Sequence, residues 1–122
     1  MEKNRFSVAS RIRSFQFAFA GIASFLRSEH NAWLHFIATA AVIVLGWRLQ
    51  ITPHEWIAVI VAIAMVWTAE MFNTCLEKLI DFLSPGPHPQ IKFIKDVAAG
   101  AVLVAAMAAL TIGSIIFIPY IF

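Results

Sequence analysis

The chain is short and strongly apolar. It has 122 residues, of which 61% are hydrophobic and 13% are charged. Soluble domains average about 45–50% apolar and about 25% charged residues, so the composition excludes an ordinary soluble domain. It indicates an integral membrane protein with room for three or four spans of roughly 20 residues each. The net charge of +2 is too small to imply a nucleic-acid partner.

We expect a single membrane domain over residues 1–122, and an all-α one, because a lone strand could not satisfy its backbone in lipid. The first predicted element is an amphipathic helix over residues 5–28. Its apolar residues recur at steps of three and four, and arginine and serine lie largely on the opposite side. Such a helix is expected to lie in the membrane surface. An ordinary packed helix fits the same pattern equally well.

Three transmembrane helices are predicted to follow. The first covers residues 31–50 and is expected to begin with Asn31 as its N-cap. The second covers residues 54–83, because the Thr-Pro pair at 52–53 ends one helix and starts the next. The prolines and glycine of SPGPHPQ then interrupt the helix, and the third span covers residues 91–119.

Lysine and arginine are grouped on one side of these spans. By the positive-inside rule, the grouping predicts that the N-terminus and the SPGPHPQ loop are cytoplasmic and that the C-terminus lies outside. Arg48 is the exception on the outer side. The residues that carry the prediction are Lys3, Arg5, Arg11, Arg13, Arg27, Lys78, Lys92 and Lys95.

The second span carries a polar stripe near its C-terminal end. Its members fall within an arc of roughly 100° on a helix: they are Glu70, Asn73, Thr74, Glu77 and Asp81. Charged side chains in lipid are costly, so we expect this stripe to face a bundle interior or a watery cavity. Polar residues open the first and third spans at the same depth. The predicted cluster therefore contains Glu29, Glu70, Asn73, Glu77, Lys95 and Asp96.

Carboxylates gathered in this way suit Mg²⁺, which typically takes one or two of them and shares its remaining shell with phosphates and water. A nearby lysine neutralises phosphate charge, and a metal-free carboxylate accepts a proton from an alcohol. These parts favour phosphoryl transfer to a membrane alcohol, although neither G-x-x-x-x-G-K nor G-x-G-x-x-G occurs. The residues alone leave two other interpretations open: a small proton-coupled transporter that uses Glu70, and a purely structural polar seam.

Two stretches resemble the signatures of the prokaryotic diacylglycerol kinase family. They are E-x-x-N-T-x-x-E-x-x-x-D, from Glu70 to Asp81, and KDVAAGAV, from Lys95 to Val102. The resemblance covers nearly the whole chain. It implies an ATP- and Mg²⁺-dependent lipid kinase of the bacterial plasma membrane, assembled as a homotrimer whose active sites are shared between neighbouring subunits.

The resemblance also implies a role for each matching position. Glu70 resembles the catalytic base that takes the proton from the lipid hydroxyl, and Glu29 and Glu77 resemble the metal-binding carboxylates. Lys95 and Asp96 match positions that line the nucleotide and phosphate site. Asn73 matches that site as well.

One departure from the family bears on the acceptor lipid. Enterobacterial members carry a second acid where this chain has His35. The combination of Glu29, Asn31 and His35, together with HPQIKFIKD at 88–96, is closer to the Gram-positive branch, which phosphorylates undecaprenol. The resemblance therefore favours undecaprenol over diacylglycerol. Trp67 lies deeper in the second span and is interpreted as a packing residue rather than a substrate contact.

Overall fold

The computed structural model describes residues 6–122, and these residues form four α-helices. Three of the helices are long and apolar enough to cross a membrane, which confirms three candidate spans. Lys3 and Arg5, which entered the topology and surface-helix predictions, lie outside the described residues. The helices are α1 (Val8–Ser28), α2 (His30–Leu49), α3 (Pro53–Leu83) and α4 (Pro89–Ile121).

Two prolines begin helices instead of belonging to the connections. Pro53 is the first residue of α3, after an N-cap in which the Thr52 hydroxyl accepts the Glu55 N–H at 3.2 Å. Pro89 is the first residue of α4, after the N-cap His88. A missing N–H costs nothing at the first helical position, and the fixed φ of proline suits a helix there. Both predicted helix starts are therefore slightly late.

The predicted cap of the first span is wrong. Asn31 lies inside the first turn of α2, and Glu29 is the extended residue between α1 and α2, with φ −114° and ψ 121°. The Glu29 N–H donates to the Phe25 carbonyl at 3.2 Å, which closes α1. The Glu29 carbonyl accepts the Ala32 N–H at 3.2 Å, which opens α2. Glu29 is thus the whole connection between α1 and α2.

The end of α4 also differs from the prediction. The helix was expected to stop at Pro119, but it continues through that residue to Ile121. Proline removes the backbone bond to the residue four positions earlier, and so close to the end of a helix only this one bond is lost. The next bond is intact, because the Phe122 N–H donates to the Ile118 carbonyl at 2.9 Å.

The chain divides into two compact units, one up to Ala38 and one over Thr39–Phe122. In the second unit α3 and α4 pack against each other as an antiparallel hairpin. The buried core of this unit lies at one end of the hairpin and consists of Ile51, Val59, Ile116 and Phe117.

A polar contact closes the hairpin at the same end. The Tyr120 hydroxyl in the last turn of α4 donates to the Glu55 carboxylate in the first turn of α3. That carboxylate also accepts the Thr52 N–H at 2.9 Å, which completes a capping box. Two helix ends are thereby tied together by a carboxylate that already caps one of them.

The length of α3 separates the core end from the polar end. Its 31 residues span about 46 Å at 1.5 Å per residue, whereas the hydrocarbon layer is only about 30 Å thick. A helix of this length extends beyond the hydrocarbon unless it is strongly tilted. The polar stripe occupies the part towards Leu83, so its outer members can leave the apolar layer while Glu70 remains near the middle of the helix.

Gly46→Val is expected to lower stability. A Cβ at Gly46 would lie 2.9 Å from Cη2 of Trp56 and 3.1 Å from Cδ1 of Ile51, and overpacking of this kind typically costs about 1–3 kcal/mol. Thermal unfolding in detergent micelles, followed by circular dichroism, measures the loss. Gly113→Val is the matched control, because a Cβ there meets nothing within 4 Å. Equal losses in the two variants would contradict the close packing at Gly46.

Candidate functional site

The polar stripe lies on one continuous helix, as predicted. Glu70 and Asn73 are partly buried, whereas Glu77 and Asp81 are exposed. The stripe therefore changes from a sheltered to an open environment as it approaches Leu83. Such a gradient suits a site where an apolar ligand and a charged ligand meet, because each can be held in the medium that it prefers.

The side-chain oxygen of Asn73 accepts no hydrogen bond from the described residues. Asn73 Nδ2 donates to Glu77 Oε1 at 3.4 Å, near the upper limit for such a bond, while Asn73 Oδ1 is buried without a partner among residues 6–122. A carboxylate only accepts hydrogen bonds, so it must face the nitrogen of the amide, and the oxygen is the group left over. A buried polar atom without a partner is unfavourable. Asn73 Oδ1 is therefore available to accept a hydrogen bond from a ligand or to contact a cation.

An ion pair joins the end of the stripe to α4. Lys95 Nζ lies 2.8 Å from Asp81 Oδ1, across the loop that connects α3 and α4. This contact joins the last acid of the stripe on α3 to the polar start of α4. The α4 acid of the predicted cluster, Asp96, accepts a hydrogen bond from Lys92 one turn earlier on the same helix.

An open groove of about 770 Å³ lies between the α3–α4 loop, the Asp81–Lys95 pair and the first turns of α4. This volume lies in the range of small-molecule sites, about 300–1,000 Å³. Two lysines on one wall give it the charge that an anionic ligand requires. Its lining consists of residues 84–89, Asp81, Ile91, Lys92, Lys95 and Asp96.

Glu29 belongs to the first compact unit. It is partly buried, and its backbone is fixed between α1 and α2 by the two hydrogen bonds described above. The structure thus holds this carboxylate on an ordered junction rather than on a long loop. Its meeting with the α3 stripe stays a prediction.

The donor set of the stripe fits a cation that arrives with a phosphate ligand. Within residues 6–122 no three or more His, Cys, Asp and Glu side chains are close enough to bind a metal ion by themselves. Mg²⁺ nevertheless needs only one or two carboxylates when phosphate oxygens and waters complete its shell. The carboxylate of Glu77 and the partnerless oxygen of Asn73 are adjacent hard oxygen donors of the required type.

Two side-chain pairs near the site were not found from the sequence. The Asp81–Lys95 pair joins residues on different helices, and Trp67 Nε1 donates to Thr39 Oγ1 at 2.8 Å between α3 and α2. Neither pair follows a periodic spacing. The pairing of Lys92 with Asp96 does follow one, since residues four apart are neighbours on a helix, and that signal was available.

Comparisons with known proteins cover all of these residues. The sequence model of the family described as prokaryotic diacylglycerol kinase matches residues 16–117. The chain is 36% identical over 118 residues to an undecaprenol kinase of Bacillus subtilis. This match covers 97% of the chain and 92% of that protein. The chain is 31% identical over 121 residues to a diacylglycerol kinase of Synechocystis sp., which covers 98% and 69% respectively.

Asp81→Asn is expected to lower the free energy of unfolding by less than about 1 kcal/mol, because exposed ion pairs contribute about 0–1 kcal/mol. The two side chains are 65% and 38% exposed for Asp81 and Lys95. A double-mutant cycle with Lys95→Met measures the coupling, which should weaken as salt is added. A coupling of several kcal/mol that ignores salt would contradict the exposed geometry.

Proposed function

Because the chain belongs to the prokaryotic diacylglycerol kinase family, a family of lipid kinases, we propose that it transfers the γ-phosphate of ATP to the hydroxyl of a membrane lipid alcohol. Undecaprenol is the favoured acceptor and diacylglycerol the next. The observation that carries the proposal is the α3 stripe, which runs from the partly buried Glu70 to the Asp81–Lys95 pair beside an open, lysine-lined groove.

Glu70 is proposed as the catalytic base. Its carboxylate accepts the proton of the lipid hydroxyl while the hydroxyl oxygen attacks the γ-phosphorus of ATP. The bond between the γ-phosphorus and the bridging oxygen to the β-phosphate breaks, and ADP leaves. Glu70 suits this role because it is the deepest acid of the stripe and therefore the nearest to a lipid that remains in the hydrocarbon.

The charged ligand is assigned to the outer part of the stripe. Lys95 would neutralise phosphate charge, and its amine lies 2.8 Å from Asp81 Oδ1. Asp96, which lines the groove, and Asn73 are proposed to contact the nucleotide as well. This arrangement keeps a lysine beside the groove without leaving its charge unpaired.

Mg²⁺ is proposed to be held by Glu77 and Glu29, with the Asn73 oxygen beside it. When bound, the ion would neutralise the charge that develops on the transferred phosphoryl group. Glu77 and Asn73 bring oxygen donors that match this ion. Glu29 would add the second carboxylate of the site.

The proposed setting is a homotrimer in the bacterial plasma membrane. Large apolar side chains on α3 are exposed within one chain, such as Phe72 at 67% and Phe82 at 85%. Extensive exposed apolar surface calls for lipid or a neighbouring subunit to cover it. The grouping of lysine and arginine supports a cytoplasmic N-terminus, a cytoplasmic active site and an external C-terminus.

Undecaprenol is favoured for two reasons. The relative named undecaprenol kinase matches at higher identity and over a larger share of its length than the relative named diacylglycerol kinase. In addition, His35 stands at the position where the enterobacterial branch of the family carries an acid. Both acceptors present a hydroxyl to the same base, so the choice between them leaves the chemistry unchanged.

Glu70→Gln is expected to lower kcat by about 10²–10⁴-fold, the usual contribution of a general base. Transfer of labelled phosphate from ATP to lipid in mixed micelles with Mg²⁺ measures the effect, with undecaprenol and a short-chain diacylglycerol tested in parallel. Glu55→Gln is the matched control, because this carboxylate lies on the same helix but at the opposite end from the stripe.

Two outcomes would contradict the assignment. Full activity of Glu70→Gln would show that another group takes the proton. A proton-driven substrate flux in sealed vesicles without ATP, combined with no labelled lipid from the unaltered protein, would instead favour the transporter. The kinase hypothesis gives Lys95 of the Asp81–Lys95 pair a role in phosphate binding, whereas the transporter hypothesis gives the pair no role.

A further inference from the structure

A hydrogen bond between two spans lies next to the proposed base. Trp67 Nε1 on α3 donates to Thr39 Oγ1 on α2 at 2.8 Å, and both side chains are partly buried. Both residues belong to the second compact unit. An indole has one N–H, so this bond uses the whole donor capacity of the ring. The side chain is left with an apolar surface in a fixed orientation.

Trp67 lies three residues before the proposed base on α3, on the side of Glu70 away from the polar stripe. Residues three apart on a helix are neighbours on its surface, so Trp67 adjoins Glu70, about 4.5 Å along the axis. The polar stripe runs from Glu70 towards Leu83, and Trp67 lies on the other side of Glu70, towards the apolar end. A lipid whose hydroxyl reaches Glu70 from the hydrocarbon therefore places its first chain atoms beside Trp67.

The two candidate acceptors differ in those first atoms. In a polyprenol, the carbons that follow the hydroxyl belong to an isoprene unit and carry no hydrogen-bond acceptor. In a 1,2-diacylglycerol, ester groups lie on the first and second carbons after the hydroxyl-bearing carbon. Ester carbonyls that leave water without gaining a donor are unfavourable. The indole of Trp67 already donates its single N–H to Thr39, so it offers these carbonyls no hydrogen bond.

We propose that Trp67, with its N–H occupied by Thr39, is a specificity-determining residue that favours a polyprenol over a diacylglycerol. This inference rests on the proposed function and adds to it the group that selects the acceptor. The sequence interpretation of Trp67 as packing alone is thereby extended: the residue bonds to α2, and its indole, with the N–H already used, is the proposed contact for the acceptor chain beside Glu70.

Thr39→Val tests the inference, because it keeps the shape of the side chain and frees the indole N–H. The ratio of kcat/KM for undecaprenol to that for a short-chain diacylglycerol is expected to fall by about tenfold, the effect of one added hydrogen bond to the ester. The KM for ATP should stay unchanged. The assay is labelled-phosphate transfer in mixed micelles, with both acceptors measured on one preparation.

Two further variants separate specificity from a loss of packing. Trp67→Phe keeps an aromatic wall without a donor and should retain the preference for undecaprenol. Thr111→Val is the matched control on α4, where the hydroxyl bonds to the Met107 carbonyl of its own helix at 2.8 Å, and it should also retain the preference.

The outcomes that overturn the inference are distinct. An unchanged ratio in Thr39→Val, or an equal loss with both acceptors, would show that the bond is only structural. A gain of diacylglycerol turnover in Trp67→Phe equal to that in Thr39→Val would show that loosening, and not a freed donor, changes the preference. No transfer to either lipid by the unaltered protein would overturn the proposed function and this inference together.

Discussion

The cost of placing carboxylates in hydrocarbon governs the arrangement of the whole second unit. A charged residue at the centre of a spanning helix is unfavourable by at least about 2.5–3.5 kcal/mol. The chain limits this cost by placing the acids of the polar stripe on one face of α3 and letting them emerge towards Leu83. The opposite end of the hairpin carries the apolar core around Val59 and Phe117. Polar chemistry and apolar packing thus share one helix without occupying the same level.

The same division suits a reaction between a lipid and a nucleotide. A lipid alcohol reaches the site from the hydrocarbon, and a polyanion reaches it from water, so the two must meet at the boundary. The stripe carries its groups on a single helix, which fixes their spacing along the axis. The Asp81–Lys95 pair then brings one cationic group from α4 to the aqueous end.

The helices could be predicted from the sequence because lipid leaves the backbone few alternatives. Apolar runs and the Pro-Gly-Pro interruption located three spans closely. The helix ends were less accurate, because a proline fits the first turn of a helix as well as a loop, as Pro53 and Pro89 show. At the first span, Asn31 had the right chemistry for a cap, yet Glu29 is the residue at the junction.

The site was predictable to the extent that it follows helical spacing. The alignment of Glu70, Asn73 and Glu77 on one face required only the helical repeat. The partner of Asp81 and the partner of Trp67 could not be found in this way, because each lies on another helix. Which side chains meet across helices depends on their relative rotation and depth, and hydrophobic periodicity alone does not determine either.

The most direct test of the central claim places a nucleotide beside the α3 stripe. Cys75 is the single cysteine of the chain and is exposed on α3, between Asn73 and Glu77. A nitroxide on this residue would report a nearby paramagnetic ion, so its spectrum can be recorded with ATP and Mn²⁺ in place of Mg²⁺. Broadening that requires ATP and weakens in Glu77→Gln is expected. An unbroadened spectrum from protein that still phosphorylates lipid would place the reaction away from the stripe.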